Sequence, residues 1–216
     1  MKISTNLILL ATFASGLSVS TITAFGEDTD APKIKTGDKW IYQETDSITN
    51  TPTSRLIWVV TEALDKTYSV NVEASNGNSI VDVYDYKQNG IQFGQFSYTP
   101  NDGTGVPANA MPGASWKHSF TWRDTDKGQG GRSETDGRCR TKESVTVAAG
   151  TFDDALKCIT IIRSHAANEG PVNWETTITS WYSPKTIQWI KRLTEVRNHG
   201  HLATSKMQEL IEYHVN

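Results

Sequence analysis

The sequence predicts an all-β protein, a curved antiparallel meander of about eleven strands forming a half-barrel or open barrel. Three observations predict it: apolar and polar residues alternate with period two, turn residues recur between the alternating runs, and no segment carries a long amphipathic helical stripe. The clearest alternation is Thr67 to Ala74, with Tyr68, Val70, Val72 and Ala74 on one side and Thr67, Ser69, Asn71 and Glu73 on the other. That is the pattern of a strand with one buried face. In chain order the further candidates are Lys39 to Thr45, Arg55 to Glu62, Ser79 to Tyr86, Ile91 to Tyr98, Trp116 to Asp124, Arg140 to Val147, Leu156 to Ser164, Val172 to Tyr182, Ile187 to Val196 and Lys206 to Val215. Asn76-Gly77, Asn89-Gly90, Ala149-Gly150 and Asn198-His199-Gly200 separate them, glycine supplying positive φ where the chain reverses. Ser205 to Tyr213 is long enough for two helical turns, but Met207, Ile211, Tyr213 and Val215 also fit a strand, which is the reading taken. Many short strands without alternating helices argue against a parallel α/β design.

Charge excludes one class of partner. The 216 residues carry 21 basic and 24 acidic side chains, a net charge of −3, so nothing favours nucleic acid through phosphate attraction. Hydrophobic residues make up 37% and mean hydropathy is −0.46, as in a water-soluble chain.

The first stretch reads as a secretory signal peptide, residues 1–26. Lys2 forms the positive region, Leu7 to Ala14 the apolar region, and Ala24-Phe25-Gly26 a small-x-small cleavage site. Ser15, Gly16, Ser18, Ser20, Thr21 and Thr23 interrupt the apolar run well short of the roughly 20 residues that span a bilayer, so no transmembrane segment is expected after cleavage. No cysteine precedes Cys139, which excludes lipid attachment at a processed N-terminal cysteine. Loss of Lys2 takes the charge from −3 to −4. The expected product is a periplasmic or secreted protein with a polar, disordered segment over 27–36 and a single β-domain over 37–216.

Cys139 and Cys158 are an even pair in an exported chain and are expected to form one disulfide, contributing about 3 kcal/mol in the loop-entropy model. Direct opposition in a hairpin centres its turn between Ala148 and Ala149. Gly150 is the residue that most naturally makes the turn and moves the centre later, so a bulge of one or two residues is expected near Arg138 to Thr141 or Asp153 to Ala155.

Gly37-Asp38-Lys39-Trp40 is echoed by Gly113-Ala114-Ser115-Trp116, each a glycine, two residues and a tryptophan opening a strand. The echo suggests two pseudo-repeated halves. The Pro- and Gly-rich loop Thr99 to Ala114 lies between them and is read as a long crossover or lid within one domain, because either half alone makes a marginal core.

Several blocks resemble a known family. Gly37-Asp38-x-Trp40-x-Tyr42, Pro112-Gly113-x-Ser115-Trp116, Val145 to Phe152 followed by Ala155-Leu156-Lys157, then Trp181-Tyr182-Ser183-Pro184 and Lys191-Arg192 are similar, in order and spacing, to exported bacterial domains of unknown function labelled TapB-like. The family usually has proline at Ala148 or Ala149. It also has glycine after the tyrosine-proline block, where this chain has Pro184-Lys185-Thr186-Ile187. The resemblance implies a curved antiparallel sheet similar to the half-barrels of periplasmic lipoprotein carriers and sensors. It implies no activity and no catalytic residues. In physical terms, Phe152 is placed to plug the end of the sheet beyond the Gly150 turn, and Pro184, lacking an amide hydrogen, stops the ladder after Trp181 and Tyr182.

The candidate ligand-binding residues are aromatic. Trp116, His118, Phe120 and Trp122 share one strand face and Tyr84 and Tyr86 another, a lining for a hydrophobic small molecule on a concave sheet. The competing reading is that these rings fill the core. Asp124-Thr125-Asp126-Lys127-Gly128 with Glu134 and Asp136 fails the EF-hand spacing and reads as a flexible hairpin tip. His199, His201 and His214 are read as exposed histidines rather than zinc ligands. Gly-x-Ser-x-Gly, His-Glu-x-x-His and phosphate-loop motifs are missing from the sequence, and Asp153-Asp154 reads as a solvated tip. No catalytic residue, metal or cofactor is expected. The function expected is an exported, non-catalytic β-domain that binds a hydrophobic ligand or an envelope protein, the alternatives being an enzyme acting on envelope polysaccharide or a structural envelope component.

Overall fold

The computed structural model describes residues 34–107, 109–166 and 174–216; the expected signal peptide and most of the expected disordered segment lie outside them. Twelve strands follow one another: β1 (Lys39–Asp46), β2 (Thr51–Ala63), β3 (Thr67–Ala74), β4 (Ser79–Asp85), β5 (Gly90–Phe93), β6 (Phe96–Thr99), β7 (Ser115–Asp124), β8 (Gly130–Val147), β9 (Gly150–Ala166), β10 (Trp174–Ser183), β11 (Gln188–Asn198) and β12 (His201–His214). Each pairs with its sequence neighbour, and β1 also pairs antiparallel with β12, so the meander closes into a barrel.

The all-β meander is as expected, with two refinements. Ile91 to Tyr98 is two strands, because the chain turns at Gly94, where φ is +52°, and Phe93 pairs with Phe96. The sheet also closes rather than stopping at a half-barrel. Lys39 opposes His214 and Asp46 opposes Lys206, which leaves no unpaired edge strand among the described residues. A third difference concerns Gly130 to Gly137, expected within a flexible tip but found in β8. Trp116 lies opposite Gly137 and Trp122 opposite Gly131. A Cβ at either glycine would overlap the indole, so these rings lie over the bare backbone and supply the packing that glycine lacks.

One end of the barrel is packed shut. Inward-facing Trp40, Tyr42, Val60, Tyr68, Trp189 and Leu210 are buried together there. Tyr42 stacks on Trp189 with centroids 3.9 Å apart and donates its hydroxyl to the Trp189 carbonyl at 3.0 Å. Trp40 Nε1 donates to the Thr186 carbonyl at 2.8 Å, fastening the turn after β10 over this end. In that turn Ile187 adopts φ of +56°, a left-handed conformation uncommon for a β-branched residue.

The β8–β9 hairpin closes the same end. Cys139 and Cys158 form a disulfide and oppose each other directly. The turn is Ala148-Ala149, between paired Val147 and Gly150, so Gly150 opens β9 instead of making the turn. Register shifts between Cys139 and Thr141 and between Glu143 and Val145 offset one another, which restores direct opposition. These irregularities bend the hairpin. Val145, Val147 and Phe152 reach the core, and the Ala149 amide donates to the Leu210 carbonyl of β12 at 3.1 Å.

Residues 102–106 of the connection between β6 and β7 enter the lumen. Asp102, Gly103 and Gly105 are buried, and Thr135 Oγ1 of β8 donates to the Asp102 carbonyl at 2.8 Å. Asp102 accepts from the Gly90 amide at 2.8 Å, from the Thr104 amide at 2.9 Å and from the Thr104 hydroxyl, locking the loop to β5. Val106 and Ala110 pack on the disulfide. The loop is an internal plug, neither a linker nor a lid over the outside.

Candidate functional site

Above the packed end the lumen opens into a cavity of about 300 Å³. Alternation along the strands places its lining. In β1, Trp40 and Tyr42 face the packed end and Glu44 the cavity; in β4, Tyr84 and Asp82 follow the same order. Barrel closure then aligns three strands: Glu44 opposes Gln208, and Gln208 opposes Arg192. Trp58, Tyr84 and Phe93 form the apolar wall.

The charged groups differ in how they are satisfied. Glu44, 8% exposed, takes Lys206 Nζ at 2.9 Å, Gln208 Nε2 at 3.0 Å and Thr53 Oγ1 at 3.1 Å, so its charge is compensated. Asp82, 6% exposed, has one carboxylate oxygen without any hydrogen-bond partner, and Tyr84 reaches the other only at 3.5 Å. Burial pushes its pKa up to about 6, against smaller lowering by hydrogen bonds from the Gly94 amide and Tyr84. Arg192 lies with its guanidinium 5.5 Å from the Trp189 ring centre. Its Nε is buried without an acceptor, and the side chain makes no ion pair with any described residue. Burial lowers its pKa while Tyr84, Asp102 and Tyr42 hold it up; guanidinium remains charged at neutral pH. Burial also raises the Tyr42 and Tyr84 hydroxyls well above their ordinary range, so both stay neutral donors. Beneath Arg192 a second space of about 30 Å³, about one water in size, separates it from Gly105 and Val106 of the plug.

Of the residues singled out in the sequence, Tyr84 lines the cavity. Trp116, His118, Phe120 and Trp122 do share the inward face of β7, but the plug loop and neighbouring strands occupy that face. Trp116 Nε1 donates to the Gly103 carbonyl at 2.9 Å, and His118 Nε2 lies 2.9 Å from the Asn101 carbonyl. Phe120 is buried edge-on to Tyr98 at 5.7 Å. Tyr86 lies at the packed end, its hydroxyl on the Leu64 carbonyl at 2.6 Å, away from Tyr84's cavity. Asp124 caps its hairpin tip, accepting from the Asp126 and Lys127 amides at 3.0 Å each. His199 and His201 stand at one end of β12 and His214 at the other, and no group of three or more His, Cys, Asp or Glu among the described residues could hold a metal ion.

Sequence reasoning missed Glu44, Trp58, Asp82, Phe93, Arg192, Thr194, Lys206 and Gln208. A signal existed for one of them: Asp82 is a charge at an inward position between apolar Ile80 and Tyr84.

No protein-family model matches the chain, and no curated protein matches it, so neither comparison shows a TapB-like family. Among solved structures, the chain is similar to a Bacteroides fragilis protein of YmcC-like fold, itself inferred to be exported, with a TM-score of 0.52 and 13% identity over 85% of this chain and 98% of that one. The hypothetical lipoprotein YmcC of Escherichia coli K12 gives a TM-score of 0.48 at 11% identity over 82% of this chain and 84% of that one. The first likeness shows the fold alone.

Proposed function

We propose that this protein is an exported, non-catalytic binding module that holds a small hydrophobic ligand in the open part of its lumen. The observation that carries the reading is the cavity of about 300 Å³ with an apolar wall of Trp58, Tyr84 and Phe93, a size at the lower end for ligand pockets. Its place is the side of the lumen lined by β1, β2, β4, β5, β11 and β12, not the β7 face. Binding is favoured over catalysis because the lining holds no serine, cysteine or histidine, and of its two carboxylates Glu44 is already committed to Lys206 and Gln208. Export is supported by the pattern of residues 1–26, by the disulfide and by the inferred export of the Bacteroides fragilis protein of the same fold.

Native mass spectrometry of protein purified from its own host tests this, the expected result being a copurified small molecule at one per chain. An empty protein that also ignores lipids and hydrophobic dyes would overturn it. A second reading, docking of an envelope protein at the mouth, is favoured by exposed Ile48, Ile80, Val81, Trp174 and Leu202, all near the strand ends or turns at the open end. Crosslinking in cells to a stoichiometric neighbour, blocked by charged substitutions at Ile48 and Leu202, would support that reading.

A further inference from the structure

We infer that the cavity is built for an amphipathic monoanion of about ten to fifteen non-hydrogen atoms, its acidic head on Arg192 and its apolar body against Trp58, Tyr84 and Phe93. The inference rests on the binding reading above and adds the chemistry of the ligand.

Charge matching comes first. Lys206 and Glu44 cancel each other at 2.9 Å, leaving Arg192 as the cation of the lining without a partner. A half-buried guanidinium with no ion pair has lost hydration without replacing it, a cost that an incoming carboxylate offsets. The guanidinium fork fits a carboxylate with two parallel hydrogen bonds. The neutral hydroxyl of Tyr84, which reaches Asp82 only at 3.5 Å, is a further donor in the same lining. A dianion fits poorly, because Arg192 is the one cation of the lining outside an ion pair, and the carboxyl groups of Asp82 in the lining and Asp102 near Arg192 oppose further negative charge.

Depth places head and wall together: Arg192, Trp58, Tyr84 and Phe93 all border both the open cavity and the small space above the plug. Thr194 follows Arg192 toward the mouth on the same inward face of β11, with Lys206 beside it on β12.

Calorimetry on the full chain, delipidated and refolded, uses sodium decanoate, decan-1-ol and decyltrimethylammonium as probes. Decanoate is expected to bind one per chain, at least tenfold more tightly than decanol, with no binding of the cation. Arg192→Gln is expected to abolish the preference for decanoate over decanol, while Lys117→Gln, an exposed change on the outer face of β7, leaves it intact. Should Arg192→Gln fail to fold, the comparison of decanoate with decanol on the unaltered protein still decides. Equal affinity for decanoate and decanol would overturn the anion inference and leave the cavity reading standing. Absence of binding by all three, with near-UV circular dichroism showing a folded barrel, would overturn both.

Discussion

Replacing Asp82 with asparagine should stabilise the protein at neutral pH and do nothing in acid. Asp82 is 6% exposed, with one oxygen unpartnered, and its pKa rises from an ordinary 3.8 to about 6 because burial disfavours the anion. The folded state therefore holds a proton that the unfolded chain releases at lower pH. Stability from this group is complete below about 4, is lost as pH rises toward 6, and stays lost above. At about 1.4 kcal/mol for each tenfold change in proton affinity, the loss amounts to about 3 kcal/mol. The asparagine amide keeps the shape of the carboxyl without the charge. Urea unfolding of both proteins from pH 4 to pH 8 should give a difference near zero at pH 4 that grows to about 3 kcal/mol in favour of Asp82→Asn at pH 7, a rise in Tm of roughly 6 to 12 °C. A variant equal to or less stable than the parent at pH 7 would refute the reasoning. It would mean that the carboxylate has a partner in solution that offsets its burial.

Trp40→Ala should cost about 3 to 5 kcal/mol, since the indole is fully buried and fastened to Thr186, whereas half-buried Trp116 should cost roughly half as much; paired denaturation curves check the order. Thiol labelling of the denatured, unreduced protein should find no free thiol, and Cys139→Ser with Cys158→Ser should lower stability by about 3 kcal/mol in urea unfolding. Gly105→Ala should destabilise the plug, because its Cβ would collide with the Lys87 carbonyl oxygen; a loss of about 1 to 3 kcal/mol with increased proteolysis within 100–114 is expected, and an unchanged Tm would mean the loop does not enter the lumen.

Local pattern carried much of the fold. Thr67–Ala74 is found with the bounds its alternation marks, and the strands after Lys39, Ser79 and Trp116 begin within a residue of expectation. The cysteine pair was legible from its even count in a chain read as exported, but its turn was not: Gly150 drew the turn later than Ala148-Ala149, where direct opposition puts it. Gly130 to Gly137 was not legible, because glycine argues against a strand until the indoles opposite are known. The site was least legible of all. Arg192, Gln208 and Glu44 form one row through pairings of β11 with β12 and of β12 with β1, and the second spans the whole chain. The aromatic face of β7 was correctly read as a face, but what covers it is a loop whose composition reads as surface.

The width of the barrel explains both the plug and the site. A barrel of about eight strands is filled by its own side chains, and lumen diameter grows with strand number. Twelve strands leave space that side chains alone do not fill. This chain fills the packed end with Trp40, Tyr42, Tyr68 and Trp189, and the β7–β8 side with the loop held by Asp102, Trp116 and His118. What remains is the region over β1, β2, β4, β5, β11 and β12, where Asp82 and Arg192 line one cavity without pairing to each other. A core selected for stability alone would pair two such charges or replace them with apolar groups, since a buried unpaired charge costs several kcal/mol. The barrel carries that cost in the part of its lumen that the plug leaves open, which is where a ligand has room to meet Arg192.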